Sequence, residues 1–228
     1  MDMISVASGC RLNDLNIGEI TVVHAYHVIL PMYGFWLPND PRGSWSQFVA
    51  SWELACFGET TRHLEQRTLA QLTDEELAHR EAARKALKYP AVTLNGNQAL
   101  TIANGFKAKA AANRYEILAC SILPEHTHLV IARHRYKIEQ VANLLKGAAT
   151  RQLMEAGIHP LAEFADADGK PPHVWATHQW KAYLDSEEAI ETAIAYVIEN
   201  PLKEGKKRQD WHWLAPYRGL DKGWTTYL

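Results

Sequence analysis

Thr21 to Leu30 reads TVVHAYHVIL, β-branched and apolar almost throughout, which predicts a core strand. Ile117 to Leu123 and Leu129 to Ala132 are two further apolar runs and predict strands over 115–123 and 128–133. A fourth strand is predicted over 173–184, with Trp175, Trp180 and Tyr183 as its packing groups. Elsewhere the apolar period is that of a helix. Leu100, Ala103, Phe106 and Ala110 predict a helix over 97–113. Ile138, Val141, Leu145 and Ala148 predict one over 137–156, ended by Gly157. Ile190, Ala193, Ile194 and Val197 predict one that starts at Asp185 and is stopped by Pro201 directly after Asn200. Thr73 and Glu76 have the spacing of a capping box and start another helix, running to about Leu87. The order strand, helix, strand, strand, helix, strand, helix predicts an α+β chain. Its core would be a ferredoxin-like antiparallel sheet with helices on one face. Residues 1–20 read as an N-terminal extension, 21–205 as one domain with a helical insertion at 46–90, and 206–228 as an aromatic tail.

Composition narrows the classes. The 228 residues are 47% hydrophobic, enough for a sizeable core. No apolar run approaches the ~20 residues that span a bilayer, and no basic segment followed by an apolar one opens the chain. No membrane partner is expected. Three cysteines, Cys10, Cys56 and Cys120, form no disulfide or metal pattern, so a reducing cytoplasm is the expected location. A net charge of −2 is not that of a general nucleic-acid binder, so such contacts would come from local patches. Of eight tryptophans, five fall after residue 174; the tail that holds most of them can cover the sheet, meet a partner subunit or stack on bases.

The chemistry concentrates in a few stretches. Between the two central apolar runs stand His126 and His128. In a strand, residues two apart share a face, so these imidazoles project side by side, roughly 6–7 Å apart, a spacing suited to one divalent metal. Alone, this pattern is weak. His24 and His27, three apart, fall on opposite strand faces and read as structural or edge residues. Tyr196 and Asn200 are four apart and share one helix edge. The loop from Tyr33 to Trp45 combines aromatic rings with Arg42, a guanidinium for phosphate or a packed irregular loop. Arg133, Arg135 and Lys137 form a basic patch at a strand exit, and Lys203 opens a second basic cluster. Lys146 and Arg151 lie off the buried stripe of their helix, where they can meet phosphate or solvent. Arg80, Arg84, Lys85 and Lys88 read as a solvated helix face.

Four elements in order resemble a known family. Trp36-Leu-Pro-Asn-Asp-Pro-Arg-Gly43 is similar to its W-L-P-x-D-P-R-G loop. Leu123-Pro-Glu-His-Thr-His-Leu129 is similar to its M/L-P-x-H-x-H-L core motif. Leu144-Leu-Lys-Gly147, with Trp175 to Tyr183, is similar to the segments that follow. Ala195-Tyr-Val-Ile-Glu-Asn-Pro-Leu202 resembles Y-I-x-x-N-P-V. The chain thereby resembles the REP-associated tyrosine transposases of the HUH single-tyrosine transposase superfamily, over roughly residues 24–205. Thr127 stands where that family has a bulky hydrophobic residue, and the insertion at 46–90 is long for it.

The resemblance implies the HUH endonuclease fold and a transposase that cleaves and rejoins single-stranded or hairpin DNA through a covalent 5′-phosphotyrosine. It assigns Tyr196 as nucleophile, with His126, His128 and Asn200 as ligands of Mg²⁺ or Mn²⁺. Glu199 competes with Asn200 for the third ligand position, and Glu125 has no assigned role. It also implies a homodimer. Arg42, Arg133, Arg135, Lys137, Lys146, Arg151 and Lys203 are the candidate DNA contacts. An alternative is a catalytically inactive or domesticated DNA- or RNA-binding protein of the same fold. A hydrolase using water is a third reading and leaves Tyr196 idle.

Overall fold

The computed structural model describes residues 22–37, 40, 54, 56 and 71–220; the expected N-terminal extension, Arg42 and most of the insertion lie outside them. Four strands form one antiparallel sheet: β1 (Ala25–Pro31), β2 (Ile117–Ile122), β3 (His126–Ala132) and β4 (Trp180–Leu184). Their spatial order is β2-β3-β1-β4, with every neighbouring pair antiparallel. The helices are α1 (Asp74–Lys85), α2 (Gly96–Asn113), α3 (Ile138–Glu155) and α4 (Glu187–Lys203). Strand β3 lies between β1 and β2, the split arrangement in which α2 and α3 each link parallel strands that are not neighbours. The fold is α+β, as the sequence predicts.

Strand β3 sets the layering, because both of its faces are buried. Leu129 and Ile131 point to one face and join Val28 and Leu30 of β1 under Ile102 and Phe106 of α2 and Val141, Leu145 and Ala149 of α3. The two helices touch backbone to backbone here: a Cβ on Gly105 would sit 2.7 Å from the Ala149 Cα. Val130 points to the other face and joins Ala25, Ala119 and Leu184 under Ile190, Ala193 and Val197 of α4. The expectation of helices on one face therefore holds for α2 and α3 and is corrected for α4, which covers the opposite side.

Local sequence explains most element ends. Thr73 and Glu76 make the predicted capping box, and Asn95 with Gln98 makes a second one at the start of α2. Ser186 caps α4 by accepting from the Ala189 amide at 3.2 Å. Pro201 does not end α4. It sits in the last turn, where only one backbone donor is lost, and the helix runs on to Lys203. The strand predicted over 173–184 is divided. Trp175 bridges to Met32 and sends its indole to the Lys146 carbonyl at 3.2 Å, and the regular strand begins only at Trp180.

The segment after α4 runs along the outer edge of β2. The Gln209 amide both accepts from the Ile122 N–H and donates to the Ile122 carbonyl at 2.7 Å. Trp211 donates to the Cys120 carbonyl at 3.1 Å, and the Ala215 N–H to the Ile117 carbonyl at 2.9 Å. The tail thus occupies backbone groups that an exposed edge strand would offer to another chain. Among the described residues no helix is long and apolar enough to cross a membrane.

Candidate active site

Strand pairing places three histidines on the face covered by α4. Ile29 pairs with His128, Pro31 with His126, and His27 with Val130, so His27 and His128 are diagonal neighbours on one face. The His27 Nε2 and His128 Nδ1 atoms lie 3.0 Å apart, with 24° between the ring planes. The His126 and His128 rings are 4.8 Å apart, and Phe35 stacks on the other side of His126 at 4.8 Å. Trp180 meets the His27 ring edge-on.

Helix α4 brings the rest. With Ile190, Ala193 and Val197 buried against the sheet, the edge carrying Tyr196, Asn200 and Glu204 faces the histidines. The Tyr196 ring lies 5.6 Å from His128 and 5.7 Å from His27. Asn200 is 6% exposed, and its Nδ2 has no hydrogen-bond partner. The Glu204 carboxylate stands 3.6 Å from the His126 Nε2. The Lys203 ammonium sits 4.8 Å over the Tyr196 ring.

Burial governs the protonation of this group. It lowers the His128 pKa to about 2, with His126 and then His27 adding to the effect. It lowers that of His27 to about 4. Both rings are neutral near pH 7, and each has one unprotonated nitrogen. The Tyr196 phenol is held above its usual range, first by burial and then by Glu204. The Glu204 carboxyl is raised by burial and by Glu125.

A divalent metal fits these residues. Imidazole and amide or carboxylate oxygen are suitable donors for Mn²⁺, and Mg²⁺ takes the oxygens. The buried Asn200 Nδ2 has no partner, and the same amide turned over about its last torsion would present Oδ1, the atom a cation engages, at that place. Among the described residues no group of three or more His, Cys, Asp or Glu is arranged to hold a metal.

The structure brings together Tyr196, His126, His128, Asn200 and Lys203. It does not bring the other candidate DNA contacts to them. Arg42 lies outside the described residues. Arg133, Arg135 and Lys137 follow the far end of β3, roughly 20 Å along the strand from His126. Arg151 is exposed on α3, on the opposite side of the sheet. Lys146 is buried and donates to the Ala176 carbonyl at 3.0 Å, which corrects its reading as a surface residue. Glu199 is exposed, pairs with Lys203 at 3.7 Å and lines a groove with Arg208 and Tyr217.

Two features of this region escaped the sequence. His27 was separated from the pair because strand register cannot be read from one strand. Glu204 continues the four-residue ladder from Tyr196 and Asn200, and reading Pro201 as a helix stop hid it. The solvated-face reading holds for Lys85 and Lys88, which are exposed, and is corrected for Arg80 and Arg84. Arg80 is 4% exposed and pairs with Asp40 at 3.2 Å, and Arg84 pairs with Glu125 at 3.1 Å.

Lys146 gives a prediction of its own. Burial lowers its pKa to about 8 from 10.5. Between those values the unfolded chain holds a proton that the folded chain has released, so stability rises with pH across that window. Urea titrations should show a gain on the order of 2–3 kcal/mol from pH 8 to 10.5 that Lys146→Met flattens. An unchanged slope in the variant would assign the effect elsewhere.

Comparison with known proteins gives likeness of shape alone. The chain matches no model of a protein family and no curated protein. A solved REP-associated tyrosine transposase bound to a REP hairpin is 12% identical, with a TM-score of 0.41 over 81% of this chain and 71% of that one. A putative transposase from Deinococcus radiodurans is 15% identical, with a TM-score of 0.36 over 80% of this chain and 93% of that one.

Proposed function

We propose that this chain is a metal-dependent single-strand DNA endonuclease and transposase that cleaves and rejoins DNA through a covalent 5′-phosphotyrosine at Tyr196. The observation that carries the reading is the approach of Tyr196 to His128, beside His126, with the buried Asn200 one turn further along the same helix. These four residues come from elements some 70 positions apart in the chain. His126, His128 and the Asn200 oxygen would hold the ion, and Mg²⁺ or Mn²⁺ bound there would supply positive charge to the scissile phosphate. Tyr196 Oη attacks phosphorus, its bond to phosphorus forms, and the bond to the 3′-oxygen breaks. The phenolic proton ends on the 3′-hydroxyl that leaves. Burial and Glu204 make the phenolate costly, and the Lys203 ammonium over the ring favours it. The phosphotyrosine keeps the energy of the phosphodiester, so rejoining by the reverse step needs no nucleoside triphosphate.

The test is incubation with 3′-end-labelled single-stranded hairpins and Mn²⁺, followed by denaturing electrophoresis, since the fragment 3′ of the break is the one that stays on the tyrosine. Wild type should carry label on the protein, and Tyr196→Phe should carry none. Cleavage without an adduct would assign water as the nucleophile. Binding without cleavage over a broad hairpin set would favour a protein that only binds nucleic acid.

Homodimerisation belongs to the same proposal. Tyr196 and His128 of one chain already meet, so each protomer would hold a complete site. Mixing Tyr196→Phe with His128→Ala protein should then restore no cleavage. Recovery on mixing would show that the tyrosine serves the partner's histidines.

A further inference from the structure

We propose that His27 is a positioning residue: it accepts the Nδ1–H of His128 and thereby leaves the Nε2 lone pair of His128 to the metal. The inference rests on the metal-site reading above and adds a residue that the motif set does not contain. Its starting point is the 3.0 Å separation of His27 Nε2 and His128 Nδ1. Two imidazole nitrogens at that distance share one proton, so one ring donates and the other accepts. The two assignments have opposite consequences. If His27 donates, His128 is left with its proton on Nε2 and has no lone pair outside the pair. If His128 donates from Nδ1, its Nε2 is bare and can bind a cation. Only the second is compatible with His128 as a ligand.

The fold prepares this arrangement. Register places His27 diagonally across from His128 on the face under α4. The His27 ring is held between Trp180 at 5.5 Å and Tyr196 at 5.7 Å, both at steep angles. Its plane is 24° from that of His128 and the centroids are 5.2 Å apart, so the two nitrogens meet edge to edge. His128 is 3% exposed, so water cannot replace the acceptor. Metal-binding histidines usually donate their second N–H to a carboxylate or a carbonyl. Here a neutral ring takes that part, which orients the ligand without adding charge.

The full chain without metal gives the first readout. Two-bond ¹⁵N–¹H correlation spectra should show His128 protonated at Nδ1, and a proton on its Nε2 would overturn the proposal. The second readout is Mn²⁺ affinity by titration calorimetry and by the electron paramagnetic resonance of free Mn²⁺. His27→Leu should weaken binding about 10–100-fold. His27→Gln offers an amide oxygen as acceptor and should stay within about threefold of wild type. Wild-type affinity in His27→Leu, with binding lost in His128→Ala, would overturn the role of His27 alone. Mn²⁺ binding indifferent to His128→Ala would instead remove the metal site, and the role of His27 with it.

Discussion

Replacing His128 with alanine should weaken Mn²⁺ binding by more than 100-fold and slow hairpin cleavage about 10³-fold, the loss expected when several kcal/mol of charge stabilisation are removed. The size follows from where the ring sits. His128 is nearly inaccessible, has His27 and His126 as ring neighbours, and lies 5.6 Å from the Tyr196 ring. Burial strips it of its proton, so it is already in the ligand form at neutral pH. Removing the ring would take one imidazole from the proposed donor pair and leave His126 alone. Far-UV circular dichroism and a urea midpoint separate this loss from unfolding, since a cavity in the α4 layer also lowers stability by about 2–5 kcal/mol. A folded His128→Ala protein that cleaves at the wild-type rate would show that the pair is structural.

The contrast between His128 and His27 shows where sequence reading stops. Alternation within one strand is local, so the shared face of His126 and His128 is legible from their spacing. The ladder of Tyr196 and Asn200 is legible for the same reason. Which strand pairs with which, and in what register, depends on contacts across a hundred residues. His27 meets His128 only because Ile29 falls opposite it. The side taken by α4 was hidden in the same way. Its apolar stripe shows that it packs, while the choice of face comes from Val130, Ala119 and Ala25 needing cover. Lys146 escaped because a helix position off the main stripe can still be buried by a loop, here residues 174–176.

Arg80→Ala should cost about 3–5 kcal/mol in urea unfolding, the range for removing one member of a buried ion pair. Arg80 and Asp40 have side-chain exposures of 4% and 0%. Alanine would leave the Asp40 carboxylate in that interior without its guanidinium. The loss would also reach the candidate site. Arg80 donates to the Phe35 carbonyl at 3.4 Å, and Phe35 is the ring stacked on His126. Mn²⁺ affinity should therefore fall together with stability, although Arg80 stands on a helix with no residue in the donor set. The double variant Arg80→Met with Asp40→Leu removes both charges, and replacing a buried pair by apolar groups is often neutral. It should recover most of the stability. If it recovers Mn²⁺ affinity as well, the helix acts on the site by holding the Phe35 loop in place. If stability returns and affinity does not, the Arg80 hydrogen bond to the Phe35 carbonyl is itself what aligns the ring on His126. Unchanged stability in Arg80→Ala would mean that the pair contributes nothing to the fold and that α1 is held by its apolar contacts, Ala83 with Leu37 and Leu54.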